Sequence, residues 1–146
     1  MRVSYAYILN NYDIKLNIKM EEFGSLNGLQ VLVVNDSQIN RVILTNILNR
    51  WEILVNTAEN GAIAIEKVSK DLYDAVLMDI ELPYMQGYEV ASTIRAKGGE
   101  YFRNLPILAL TRMPELEKIE ACGMNGYIIL TDLERFHKVL STYLKK

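Results

Sequence analysis

The chain has 146 residues, of which only one is cysteine (Cys122) and one histidine (His137). A single cysteine excludes an internal disulfide framework and suits a reducing compartment, and we expect the thiol of Cys122 to be buried and inert. No apolar run reaches the about 18 residues that a membrane span needs, and no signal-peptide pattern opens the chain. Strong charge of one sign is also lacking, since the net charge is −2. We therefore expect a cytoplasmic protein without direct contacts to membrane or nucleic acid.

What the chain does have is the composition of one ordinary globular domain. Half of its residues are hydrophobic and 23% are charged, which allows a normal core and argues against disorder. Before the turn-rich stretch 24–28, apolar and polar residues alternate over Val3–Leu9 and again over Ile14–Met20. This pattern predicts a hairpin-like extension over residues 1–28. Two strands alone are marginally stable, so we expect them to pack on the main domain, on a second copy in a homodimer, or on another domain of a longer chain.

From residue 29 to residue 146, short apolar runs alternate with segments of helical periodicity. Continuously apolar runs such as Val31–Val34 are typical of buried parallel strands. Further strands are predicted at residues 53–55, 75–78, 106–110 and 127–129. Five such βα units predict an α/β domain with a parallel sheet and helices on both faces.

The helical segments are predicted from apolar residues that recur at helical spacing. For the first helix we expect an inward stripe of Ile39, Val42, Ile43 and Leu48, and for the last helix one of Leu133, Phe136, Leu140 and Tyr143. We expect His137, also in the last helix, to be exposed and without a function.

Polar side chains follow three of the predicted strands. Strand one ends in Asn35-Asp36, strand three in Asp79 and strand four in Thr111, and ligands of open α/β sheets bind at this carboxyl edge. Two nearby carboxylates repel each other unless a cation lies between them, and oxygen ligands select a hard cation such as Mg²⁺. Asp79 beside a hydroxyl is then a reasonable phosphoryl acceptor. The plainer alternatives are that Asp36 caps a helix and that Thr111 serves a turn.

Several stretches together resemble the response-regulator receiver family of two-component signalling. They are VLVVNDSQINR, TAENGAIAIEKV, DAVLMDIELPYMQGYEV, PILALT and GMNGY, and the resemblance covers residues 29–144. The sequence around Asn40-Arg41 and Trp51 most resembles that of receivers in hybrid histidine kinases. The resemblance implies a flavodoxin-like, doubly wound sheet of five parallel strands in the order 2-1-3-4-5. Residues 1–28 would then be an extension, a linker or the end of an upstream domain.

The resemblance also implies roles at the site. Asp79 would accept a phosphoryl group from the phosphohistidine of a histidine kinase or phosphotransfer protein. Asp36 and Asp79 would bind Mg²⁺ with the backbone carbonyl of Glu81, and Asn35 would contribute through a water molecule.

Two further residues would take part in switching. Thr111 would hydrogen-bond the phosphoryl group, and Tyr127 would change rotamer when Thr111 moves. The module would switch an interaction with a downstream signalling protein or with another domain of its own chain. Its enzymatic activity would be at most slow self-dephosphorylation.

The site departs from the family's pattern in three places. Asn35 stands where the family has an acid, and Leu130 stands where it has a lysine. The interval from Thr111 to Gly123 is about one helical turn shorter than the family commonly has, so we expect a stunted or displaced fourth helix. Losing one acid and one lysine leaves the local charge at −2, which one Mg²⁺ can neutralise. We expect weaker metal binding and a less favoured phosphorylated state, since a charged hydrogen bond contributes about 1.5–3 kcal/mol.

Two side chains offer compensation for the missing lysine. Glu81 lies two residues past Asp79, and Arg112 directly follows Thr111. We hypothesise that Arg112 pairs with Glu81 as a gate over the pocket, or supplies the missing cation to a bound phosphate. The alternative is that both are solvated surface charges.

Three rival functions follow from the same residues. A pseudo-receiver that binds proteins without phosphorylation is motivated by Asn35, Leu130 and the short fourth helix. A phosphoaspartyl hydrolase of the haloacid-dehalogenase type would need an aspartate at Glu81 and a lysine, and it has neither. A flavodoxin-like flavin carrier would need a Gly/Thr-rich phosphate loop, which residues 35–38 do not provide.

Overall fold

A computed structural model describes residues 26–144, in which five strands alternate with helices. The predicted hairpin-like extension lies almost wholly outside these residues. The strands are β1 (Gln30–Val34), β2 (Leu54–Ala58), β3 (Ala75–Asp79), β4 (Ile107–Leu110) and β5 (Gly126–Ile128). The helices are α1 (Gln38–Arg50), α2 (Gly61–Lys70), α3 (Gly87–Ala96), α4 (Glu100–Asn104), α5 (Leu116–Ala121) and α6 (Leu133–Leu144).

The five strands form one parallel sheet in the order β2-β1-β3-β4-β5, which confirms the predicted fold. The central strands β1, β3 and β4 are buried on both faces, as their continuous apolar runs predicted. Strand β2 runs on to Ala58, beyond the predicted end at residue 55. It is an edge strand, so polar residues such as Asn56 and Thr57 are tolerated there.

The sheet separates two hydrophobic cores, because successive side chains of a strand point to opposite faces. One core joins the sheet to α1 and α6, and its members include Val31, Val33, Leu77, Leu48 and Phe136. The other joins the sheet to α2, α3 and α5, and its members include Leu32, Val76, Met78, Val90 and Ile119. Helices therefore cover both faces, as predicted.

The predicted inward stripe of α1 is correct at Leu48 and in part at Ile43, and wrong at Ile39 and Val42. Leu44, Ile47 and Leu48 are buried, whereas Ile39 is 72% and Val42 53% exposed. The buried residues lie in the C-terminal half of the helix, and the two wrongly predicted residues lie nearer its N-terminus. In α6 the predicted inward residues are correct except for Tyr143, which is partly exposed and donates its hydroxyl to the Asn125 carbonyl at 2.7 Å.

The prediction that His137 is exposed was wrong, because only 1% of its surface is accessible. Its ring makes a T-shaped contact with Trp51 at 4.8 Å between centroids, and Ser141 Oγ lies 3.5 Å from its Nδ1. Trp51 is the apolar side chain that packs on the His137 ring, and this contact joins residues far apart in the chain. Cys122 is buried, as predicted.

Candidate functional site

Strand register brings the predicted site residues to one edge of the sheet. Val34 of β1 pairs with Met78 of β3, so Asn35 and Asp79 are the next residues on neighbouring strands. Asp79 in turn pairs with Leu110 of β4, and Thr111 follows directly. Neighbouring strands lie about 4.8 Å apart, so the carboxyl ends of β1, β3 and β4 converge at Asp79.

Asn35 shapes the turn between β1 and α1. It is 1% exposed, its N–H donates to the Ala58 carbonyl at 3.0 Å, and its Oδ1 accepts from the Ser37 amide at 2.9 Å. Ser37 is the N-cap of α1 and accepts from the Asn40 amide at 3.3 Å. Because Ser37 caps the helix, the capping alternative for Asp36 does not hold, and Asp36 is exposed at the edge of the sheet.

Sequence reasoning missed the contribution of Arg41 to this turn. Its Nη1 donates to the backbone carbonyl of Asn35 at 2.8 Å, and its side chain is half-buried. A cation in the first turn of a helix is unfavourable to the helix dipole. An arginine at this position was therefore the sequence signal that its side chain has a specific partner. The guanidinium holds the turn that presents Asp36.

Asp79, the predicted phosphoryl acceptor, stabilises the loop that follows β3. Asp79 is partly buried, and its Oδ1 accepts from the Glu81 amide at 3.0 Å. Gly87, the first residue of α3, donates its N–H to the Ile80 carbonyl at 2.9 Å. A Cβ at residue 87 would lie closer than 3.0 Å to the Asp79 carbonyl oxygen, so only glycine lets α3 begin this close to the strand end.

The loop after β4 carries Thr111 and Arg112. The Thr111 amide donates to the Ile128 carbonyl at 3.2 Å, and its Oγ1 accepts from the Met113 amide at 3.2 Å. Thr111 therefore does serve a turn in this structure, and Arg112 lies exposed at its tip. Within residues 26–144 no ion pair joins Arg112 to Glu81, which is also exposed. The gate is not formed here and stays a prediction.

The position of the missing lysine is filled by the core. Leu130 is 6% exposed and packs in the cluster on the α1 and α6 face. Tyr127 pairs with Ala109 in the sheet and is half-buried against the cluster on the other face. Its role in switching stays a prediction.

Helix α5 has six residues and is short, as predicted. Its Lys118 contacts α3, because Nζ lies 5.9 Å from the centroid of the Tyr88 ring; the same Nζ lies 3.0 Å from Glu115 Oε2. Burial raises the pKa of the Tyr88 phenol, and the nearby carboxylate of Glu115 raises it further. Tyr88 therefore stays neutral in this contact at physiological pH.

The donor set at the edge of the sheet suits a magnesium ion. The described residues contain no group of three Asp, Glu, His or Cys side chains able to hold a metal. They do place two carboxylates, Asp36 and Asp79, at the same edge, with the backbone carbonyl of Glu81 two residues on. Mg²⁺ is commonly bound by one or two carboxylates and completes its shell with water. These oxygen donors fit that requirement.

Comparison with known proteins agrees with this geometry. The family of response regulator receiver domains matches residues 31–140, and the chain belongs to this family. It is 35% identical over 122 residues to Sensor protein EvgS of Escherichia coli, which covers 76% of this chain and 10% of EvgS. The chain spans 6–13% of the length of such curated relatives, several of which are hybrid or sensor histidine kinases.

Solved receiver structures superpose on this fold. The receiver domain of sensor histidine kinase PA1611 from Pseudomonas aeruginosa has a TM-score of 0.73 and 28% identity, and covers 82% of this chain and 99% of its own. That structure has a magnesium ion coordinated in the active site cleft. TrrA of Thermotoga maritima, in complex with Mg²⁺ and BeF, has a TM-score of 0.71 and 28% identity over 80% of this chain and 99% of its own. None of the helices in residues 26–144 is long and apolar enough to cross a bilayer.

Proposed function

We propose that this receiver domain accepts a phosphoryl group on Asp79 in a two-component phosphorelay. One observation carries the proposal: strand register places Asp79 between the ends of β1 and β4, next to Asn35-Asp36 on one side and Thr111 on the other. An ionised carboxylate at the end of an apolar strand is costly unless it is paired or solvated, and a bound divalent cation would pair with Asp79. The family relationship supports the same assignment.

The chemistry is transfer from a phosphohistidine to a carboxylate. A carboxylate oxygen of Asp79 attacks the phosphorus, the O–P bond forms as the P–N bond breaks, and the imidazole leaves. Asp36, Asp79 and the Glu81 carbonyl would hold Mg²⁺, which when bound neutralises the charge of the transferring group. The Thr111 hydroxyl would leave its turn contact with Met113 and donate to a phosphoryl oxygen.

Asn35 contributes less to metal binding than an acid would. Its side chain is neutral, and its Oδ1 already accepts from the Ser37 amide. We therefore expect it to reach the metal only through a bound water molecule and to lower the affinity for Mg²⁺. Magnesium in the PA1611 and TrrA structures supports the assignment of this metal.

The partners follow from the proposed chemistry and the relatives. The donor would be a histidine kinase or phosphotransfer protein, because the relatives include sensor and hybrid histidine kinases. The output would be a contact with a downstream protein or with another domain of the same chain, signalled when Tyr127 follows Thr111. The protein would act in the cytoplasm. Residues 1–28 remain a candidate for homodimer formation.

Binding of beryllofluoride, a phosphoryl mimic, tests the proposal. We expect amide NMR signals of Asp79, Thr111 and Tyr127 to shift when BeF₃⁻ is added with Mg²⁺, and not when either is omitted. Acetyl phosphate should add one phosphoryl group to the protein by mass spectrometry. Asp79→Asn should abolish both results while leaving the fold unchanged. If the wild type binds neither Mg²⁺ nor BeF₃⁻, the chain is a pseudo-receiver that acts through protein contacts alone.

A further inference from the structure

Phosphorylation changes the charge at the edge of the sheet. The carboxylates of Asp36 and Asp79 carry −2 between them, which one divalent cation balances. In the acyl phosphate Asp79 becomes neutral, but the phosphoryl group brings about −2, so the sum with Asp36 is about −3. A divalent cation then leaves about one negative charge. The phosphorylated site therefore needs one more positive charge than the free site.

The end of β5 does not supply this charge, because the uncharged side chain of Leu130 stands there, buried in the core. Two cations on the helices that follow β1 and β2 are already engaged with backbone carbonyls. Arg41 donates to the carbonyl of Asn35, and Lys67 donates to the carbonyl of Thr57. Using either of them would leave a carbonyl without its charged donor, which costs free energy.

Arg112 is placed differently. It directly follows Thr111 at the tip of a tight turn, is exposed, and makes no side-chain hydrogen bond or ion pair with any residue of 26–144. Its Cα is about 3.8 Å from that of Thr111, and its long side chain can reach a group held by the Thr111 hydroxyl. A guanidinium binds phosphate oxygens through two parallel hydrogen bonds.

We propose that Arg112 is the phosphate-binding cation of this site and stabilises the phosphorylated state. The inference rests on the proposed function, since it requires a phosphoryl group on Asp79. It assigns Arg112 to the bound phosphate and leaves Glu81 to the metal through its backbone carbonyl. The free site is balanced without Arg112, so Arg112 has no part in binding Mg²⁺ alone.

The test compares four proteins: wild type, Arg112→Gln, Arg112→Lys, and Arg103→Gln as a control. Arg103 is also exposed but lies in α4, before β4, at the opposite edge of the sheet. In saturating Mg²⁺, we expect Arg112→Gln to weaken BeF₃⁻ binding roughly 3- to 10-fold, between the effects of exposed and buried charge pairs. Arg112→Lys should recover most of the affinity, and Arg103→Gln should match the wild type. The loss should shrink at high ionic strength.

Binding of Mg²⁺ alone separates a direct role from a structural one. Removing a cation beside two carboxylates should leave Mg²⁺ affinity unchanged or slightly higher. If Arg112→Gln weakens Mg²⁺ and BeF₃⁻ binding equally, the residue acts on the turn and the inference is overturned. It is also overturned if Arg112→Gln binds BeF₃⁻ as tightly as Arg103→Gln. If the wild type itself binds no BeF₃⁻, the proposed function fails first and this inference fails with it.

Discussion

Gly87 gives the sharpest test of how the acceptor strand is packed. A methyl group at this position would collide with the Asp79 carbonyl oxygen and lie 3.0 Å from Ile80 Cα. Both obstacles are backbone atoms, which cannot rotate away, so overpacking at the upper end of its usual range, about 3 kcal/mol, is expected. Alanine gains about 1 kcal/mol over glycine in a helix. The expected net loss in the free energy of unfolding for Gly87→Ala is therefore about 2 kcal/mol.

Gly61→Ala is the matched control, because Gly61 is also a buried first residue of a helix. Its added methyl group would meet mainly Val90 Cγ2 at 2.5 Å, the end of a side chain. The helix gain is the same, and the obstacle can move in part, so we expect a loss about 1 kcal/mol smaller. Urea denaturation of both variants measures the difference. Equal stability of Gly87→Ala and wild type, or a larger loss in Gly61→Ala, would refute this account of the acceptor loop.

Three further predictions concern other parts of the fold. Arg95 donates to the carbonyls of Gly123, Phe102 and Leu105 and to Asn125 Oδ1; Arg95→Lys cannot serve all four acceptors and should lower the free energy of unfolding by about 2–3 kcal/mol. Burial raises the pKa of Tyr101 in the folded state. The stability that this shift contributes to the fold is fully present below the unfolded pKa of about 10 and is lost as the pH rises through the folded pKa. Raising the pH from below to above about 10 should therefore reduce the stability of Tyr101→Phe less than that of the wild type, as measured by denaturation midpoints. Tyr84 has a φ of 69° and a fully exposed ring, so Tyr84→Asn should raise the melting temperature by relieving up to about 1 kcal/mol of strain.

Much of the candidate site could be predicted from the sequence because it depends on strand ends. Apolar runs that stop at Asn35-Asp36, Asp79 and Thr111 identify the carboxyl edge, and the parallel topology brings those ends together. What could not be predicted was how each polar atom is used. The side-chain oxygen of Asn35 accepts from the Ser37 amide to form a turn, and Arg41 of α1 donates to the Asn35 carbonyl. Such hydrogen bonds depend on backbone direction, which residue type alone does not specify.

Burial on the helices shows the same limit. Periodicity predicted that α1 and α6 are amphipathic, but it could not show that Ile39 and Val42 stay exposed, nor that Trp51 packs against a buried His137. Which residues are covered depends on where the sheet lies and how the neighbouring helix docks. These are contacts between residues far apart in the chain.

The alternation of strands and helices apart from the short α4, the parallel class of the sheet and the residues at its carboxyl edge could all be predicted from local sequence patterns. Those properties depend on local periodicity and on the short connections that a βα repeat permits. Local patterns could not show that Leu130 belongs to the core, that Gly87 must approach Asp79 closely, or that Arg112 is left without a partner among the described residues. Close packing and hydrogen-bond pairing depend on which distant segments meet, and that is settled only when the whole core assembles.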